Sequence, residues 1–235
     1  MEEIGFISVL ALGFMLGIKH AIEPDHVIAV STIASQSKKL WRSSLAGMSW
    51  GIGHTATLFL VGMTMVLMKR EITEQWAMSL EFLVGVMLVY FGITTVISYK
   101  KTHAHSPAAG GSVLHNDSKS EMNNPSTGFQ LLYTKSLFMG FIHGLAGSAA
   151  MILLTMSTVQ NAWEGALYIL IFGAGTIIGM LLSTTIIGIP FVLSSNQIYI
   201  NKSLTQITGL ISIFFGIYYM YNLGMNEGLF MLWIQ

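Results

Sequence analysis

Two histidines and two carboxylates fall within seven residues, His20-Ala21-Ile22-Glu23-Pro24-Asp25-His26, inside an otherwise apolar stretch. Each ionised side chain at the centre of a membrane helix costs about 2.5–3.5 kcal/mol on an insertion scale, so two carboxylates oppose insertion by roughly 5–7 kcal/mol. Partners, water or a bound cation must compensate. Imidazole nitrogens beside a carboxylate suit borderline divalent ions such as nickel, cobalt and zinc, whereas an oxygen-only set suits magnesium or calcium. The chain has no cysteine, which removes thiolate sites, disulfides and dithiol chemistry. Imidazole titrates near neutral pH, so protonation offers a route to release.

Helix geometry decides whether these residues can act together. Six residues of unbroken helix turn through about 600°, which points His20 and His26 to different sides. Pro24 changes this, because its missing N–H deprives the His20 carbonyl of its helical partner. A break near residues 20–25 is therefore expected to turn both imidazoles into one cavity. Irregular backbone at membrane depth is tolerated where it lines a cavity or is buried in protein.

Further candidates lie downstream. His54, in Trp50-Gly51-Ile52-Gly53-His54-Thr55-Ala56-Thr57, offers another metal nitrogen, with Thr55 or Thr57 behind it. Its structural alternative is a packing histidine bonded to a carbonyl. His143 lies in a second glycine-rich stretch and is expected to line the same path, with Ser148 near the position that Asp25 holds in the first. His103, His105 and His115 fall in a polar tract and suit either a weak metal-collecting loop or a merely solvated one. The sixteen methionines read as flexible apolar filler rather than thioether ligands. Glu81 and Glu164 are expected at helix ends facing the membrane interface, with Trp41, Trp76 and Trp163 as interfacial anchors.

The elements that carry these residues are apolar blocks. Of 235 residues, 53% are hydrophobic and 9% charged, too few charges to cover a water-soluble globule. Blocks of about 20 apolar residues read as membrane helices, and strand alternation is absent. Six spans are expected: 4–34, 44–68, 76–99, 131–159, 162–193 and 204–223, with a polar loop at 100–130. The acidic start, Met1-Glu2-Glu3, does not resemble a secretory signal, so the first block is expected to stay as a helix. The net charge is zero, and no basic footprint points to nucleic acid. With both termini outside, the cytoplasmic loops hold Lys38, Lys39, Arg42, Lys100, Lys101, Lys119 and Lys202, against Lys69 and Arg70 outside. The positive-inside rule favours that orientation.

The two halves echo each other. Phe14 to His20 resembles Leu137 to His143, Gly51-Ile52-Gly53 lies over Gly173-Ala174-Gly175, and Tyr90-Phe91-Gly92-Ile93 lies over Phe214-Phe215-Gly216-Ile217. The expected organisation is a three-helix repeat at 1–99, the loop at 100–130, and a second repeat at 131–235. Three spans per repeat force the second copy to enter the membrane inverted, a transporter arrangement with its site near the midplane.

The spacing His20-x4-Asp25-His26 in a polar first membrane segment resembles the signature of the nickel/cobalt transporter family, and Gly-x-Gly ending at His54 looks like that family's following helix. The resemblance is strong over residues 13–60 and elsewhere rests on hydropathy. Six expected spans, rather than eight, are more similar to the short permeases associated with urease accessory genes. Glu23-Pro24 replaces the Asp-Ala of the long members, and their second-half acidic motifs are missing. The resemblance implies an all-α polytopic permease in the cytoplasmic membrane. Nickel, with cobalt as a second ion, is then a substrate bound by His20, Asp25, His26 and His54, with Glu23, Thr55, His143 and Ser148 along the path. No cofactor and no enzymatic activity are expected. The partners are the metal ion and the bilayer, with homo-oligomerisation left open. The rival readings are a metal exporter, an intramembrane metalloenzyme, and a proton-linked anion carrier. The chain lacks the His-Glu-x-x-His helix of metalloproteases and any Walker-type nucleotide motif.

Overall fold

A computed structural model describes residues 2–37, 39–69, 72–102, 125–147 and 161–234. Among these residues every regular element is helical. The helices are α1 (Glu2–His20), α2 (Pro24–Ala34), α3 (Leu40–Met68), α4 (Glu74–Thr102), α5 (Pro125–Ala146), α6 (Ala162–Leu193) and α7 (Ile198–Tyr221). A π-helical turn at Asn222–Asn226 and the short α8 (Leu229–Leu232) follow.

Four of these helices are long and apolar enough to cross a membrane, or five if α1 and α2 form one broken span. The chain is thus a multi-pass helical membrane protein. Large apolar side chains face outward along the helices, as lipid contact requires, and Trp41, Trp76 and Trp163 are exposed near helix ends. The expected span at 131–159 is helical from Pro125 to Ala146, and 148–160 lie outside the described residues. The last expected span begins earlier, at Ile198.

The expected break is present. α1 and α2 meet at an angle of 56°. Glu23 takes extended backbone, as the residue before proline must, and Pro24 opens α2 at a position where a missing N–H costs nothing. The carbonyls freed by the break are taken up locally. Glu23 N–H bonds His20 O at 3.1 Å and Ile22 N–H bonds Lys19 O at 3.1 Å, tightening the last turn of α1.

Packing follows small residues. α3 crosses α6, α1 lies along α6, α5 lies along α3, and α4 pairs with α7. At the α1–α6 crossing a Cβ on Gly17 would collide with the Phe172 carbonyl and approach the Thr176 nitrogen. At the α5–α3 crossing a Cβ on Gly140 would collide with the Trp50 carbonyl and approach the His54 nitrogen. Glycine here brings backbones together in lipid, where apolar burial offers no driving force between helices.

Candidate metal centre

The break turns His20, at the end of α1, back toward His26, in the first turns of α2, with ring centroids 4.5 Å apart. His54 arrives from the middle of α3, where it is fully buried, and His143 from the last turn of α5, 2% exposed. Gly140 fixes that meeting, because its contact with the backbone at Trp50 and His54 sets α5 against α3 one turn before His143.

The contacts form two linked sets. His20 Nε2 lies 3.2 Å from His54 Nε2. On the other side of the His20 ring, Nδ1 lies 2.8 Å from Glu23 Oε2, which fixes the ring orientation. Asp25 Oδ2 lies 2.8 Å from His143 Nε2, and its Oδ1 lies 3.3 Å from His26 Nδ1. His26 packs edge-on to His143, with centroids 4.1 Å apart, and stacks on the buried ring of Trp50 at 6.2 Å.

Two triads have ligand atoms within 4.8 Å of one another: His20, His26 and His54, and Asp25, His26 and His143. His26 belongs to both. Two nitrogens each about 2.0–2.1 Å from one ion stand about 2.9–3.4 Å apart for ordinary coordination angles, so the His20–His54 separation suits a shared cation. Both nitrogens of His26, and Nδ1 of His54 and of His143, are buried without a hydrogen-bond partner in the protein. A buried polar atom left so costs about 1–3 kcal/mol; each neutral imidazole has one nitrogen lone pair, and a divalent ion bound there would offset that cost for the nitrogen it takes.

The centre opens into a cavity of about 270 Å³ lined by His20, Glu23, Asp25, His26 and His143 among others. Glu81 and Tyr219 also line it. The sequence reading missed both and set Glu81 at the membrane interface. Glu81 stands two turns inside α4, on the stripe it shares with Gly85 and the buried Leu88, and that spacing is the signal that was overlooked. Glu164 is exposed in the first turn of α6, where its backbone N–H donates to the Asn161 side chain. Thr55 donates to the Gly173 carbonyl across the α3–α6 crossing at 3.2 Å, and Thr57 donates to the carbonyls of Gly53 and Phe141, both at 3.1 Å. Neither threonine lines the cavity. Ser148, His103, His105 and His115 lie outside the described residues.

The family model of a high-affinity nickel-transport protein, NicO, matches residues 6–218. The chain belongs to the NicO family. All five residues of the two triads, and Glu23, fall inside that span. Among relatives, the urease accessory protein UreH of Bacillus sp. (strain TB-90) is 63% identical over the full length of both chains. The "Putative nickel/cobalt efflux system" of Methanocaldococcus jannaschii is 27% identical, covering 87% of this chain and 88% of that one. Chloroplast protein FOR GROWTH AND FERTILITY 1 of Arabidopsis thaliana is 25% identical, covering 91% of this chain and 59% of the plant protein. No solved structure matches this NicO protein.

Proposed function

We propose that this NicO protein is a permease that carries nickel, and also cobalt, into the cell across the cytoplasmic membrane. His20, Asp25, His26 and His54 hold the ion, His143 completes the second triad, and Glu23 orients His20. The observation that carries this reading is the convergence of four imidazoles and one carboxylate at a helix break, beside a cavity. The shared His26 suits a stepwise path in which the ion passes from one triad to the other. Imidazole with carboxylate favours nickel and cobalt over magnesium.

The reading includes six spans in two inverted triplets, 1–99 and 131–235, joined by the cytoplasmic loop 100–130, with both termini outside. The crossings support it. Gly17 meets Phe172 and Thr176 as Gly140 meets Trp50 and His54, and these are equivalent positions in the two copies. Gly175 meets Phe14 and Ile18 as Gly53 meets Leu137 and Phe141. Such exchange of partners is what a two-fold axis in the membrane plane produces.

The deciding experiment is metal binding by purified protein, compared across nickel, cobalt, zinc and magnesium. Nickel and cobalt are expected to bind more tightly than magnesium, and His26→Ala, which removes the ligand common to both triads, to abolish tight binding. Undiminished nickel affinity in that variant would overturn the site. One relative is named an efflux system, which favours export as a second reading. Radiolabelled nickel accumulation, in cells with and without the protein, separates the directions: import raises it and export lowers it.

A further inference from the structure

The cavity carries a carboxylate that neither triad uses. Glu81 is half-buried and lines the same wall system as His20, Asp25 and His143. Its backbone is pinned, because Gly85, one turn further on, packs against Gly216 and Met220 of α7. Tyr219 of α7 directs its hydroxyl at Glu81 Oε2 from 3.5 Å, at the long limit of a hydrogen bond. Among the described residues, no basic side chain makes an ion pair with Glu81. Lys19 lies on the cavity rim, exposed. A carboxylate within a membrane helix is costly and is ordinarily retained for a function. The spacing that relates Gly92 to Gly216 also relates Glu81 to Thr205 and Thr95 to Tyr219. The counterpart pair is thus two buried threonines without charge, so the acidic wall exists on one side only.

Size says what this wall meets. A cavity of about 270 Å³ has room for on the order of nine waters at ~30 Å³ each, enough for a divalent ion with its six waters. The triads have no such room, since their ligand atoms lie within 4.8 Å of one another. An ion must shed water between the cavity and the imidazoles.

We infer that Glu81 is the capture residue of this path: it receives the still-hydrated divalent cation in the cavity and passes it to Asp25 and the imidazoles, which strip and select it. This rests on the permease reading above. Glu81 acts on charge and on coordinated water, so it speeds arrival without choosing between metals. The imidazoles choose.

The test is initial-rate nickel uptake by the full chain. Glu81→Gln is expected to raise KM by roughly tenfold, the lower range for electrostatic steering, with the maximal rate unchanged. The salt dependence of uptake at low nickel should flatten with it, because the screened charge has gone. Thermal unfolding of purified Glu81→Gln close to that of the native protein certifies its fold, its nickel-to-cobalt affinity ratio should match the native ratio, and Glu81→Asp should restore most of the lost KM. An unchanged KM and salt dependence would overturn the inference, as would a lower maximal rate at native KM. The native chain gives an independent measurement: millimolar magnesium, a hydrated ion that imidazoles do not hold, should compete with nickel and raise its KM. Absence of that competition counts against capture at Glu81 even if the variant fails to insert. If His26→Ala retains binding and uptake, the ion site itself is wrong, whatever Glu81→Gln does.

Discussion

The first and second halves of the chain pack by the same contacts and differ in their chemistry. Gly17 seats α1 on the backbone of α6 at Phe172 and Thr176, and Gly140 seats α5 on the backbone of α3 at Trp50 and His54. Yet the first half brings His20, Glu23, Asp25, His26 and His54 to the centre, and the second brings His143 alone among the described residues. In the proposed repeat Thr176 takes the place of His54, and it spends its hydroxyl on the Phe172 carbonyl one turn back. The difference teaches that helix crossing and ion binding are separable demands. Small residues satisfy the first in both halves, and on the proposed reading one acidic, proline-broken segment supplies most of the second. If the two halves are the inverted repeats proposed above, such a scaffold holds one centre fed unequally from its two halves.

The strongest challenge to that inequality is to remove one residue from each side. Asp25→Ala leaves His143 Nε2 and His26 without their carboxylate, in a buried place. Nickel uptake is expected to fall by more than the roughly 10–100-fold that loss of an outer partner brings. His143→Ala removes the second half's contribution and is expected to stay within that roughly 10–100-fold range. Uptake of radiolabelled nickel, with membrane insertion checked by immunoblot, measures both. A His143→Ala loss equal to that of Asp25→Ala would make the two halves chemical equals, and the comparison would fail.

The centre was legible in the sequence to the extent that polar residues in apolar helices are conspicuous. Four imidazoles and Asp25 stood out for that reason, and Pro24 announced the break that brings His20 and His26 together. Glu81 was illegible by the same logic, since an acidic residue a few positions after Trp76 resembles an interfacial one. Its direction is set by helix packing: Gly85 and Gly92 hold α4 on α7 and so turn the Glu81 side toward the cavity. Thr55 erred in the other sense. Adjacent to His54, it looked like a supporting group, but neighbouring residues on a helix differ by about 100° in direction. Its hydroxyl therefore faces α6 and bonds Gly173. Sequence adjacency identified the helix correctly and the face wrongly.

A smaller effect is expected at the α4–α7 seam, where the halves should be alike. A Cβ on Gly92 would press on the Gly209 carbonyl and the Ile213 nitrogen, and one on Gly216 would press on the Gly85 carbonyl and the Val89 nitrogen. Backbone cannot yield as a side-chain tip does, so Gly92→Ala and Gly216→Ala should each destabilise by about 1–3 kcal/mol. Thermal unfolding in detergent should report similar drops in Tm, with nickel affinity retained in both, because neither glycine lines the cavity. A large drop in one variant alone would mean that the seam is not built twice.

The mildest perturbation addresses the α3–α6 crossing, where the two halves meet directly. A Cβ on Gly173 would run into the side chain of Thr55, and a Cβ on Gly51 would run against Ile177, at the equivalent place on the other side. The contact is the same and the side chain differs: Thr55 spends a hydroxyl on Gly173 O, while Ile177 has none to spend. Thr55→Val keeps the branched shape and removes that bond, making the two sides chemically alike. Removing the donor also leaves the Gly173 carbonyl with its helical partner, so the acceptor is not stranded. The expected cost is about 0.5–1.5 kcal/mol, the net worth of an ordinary hydrogen bond, seen as a small fall in Tm. Nickel affinity should not move, because the hydroxyl points across the crossing and the imidazole of His54 is held by His20 and by the backbone contact with Gly140. A loss of nickel affinity of the size expected for an outer partner, roughly tenfold or more, would return Thr55 to the ion site and show that the crossing and the centre are not separable after all.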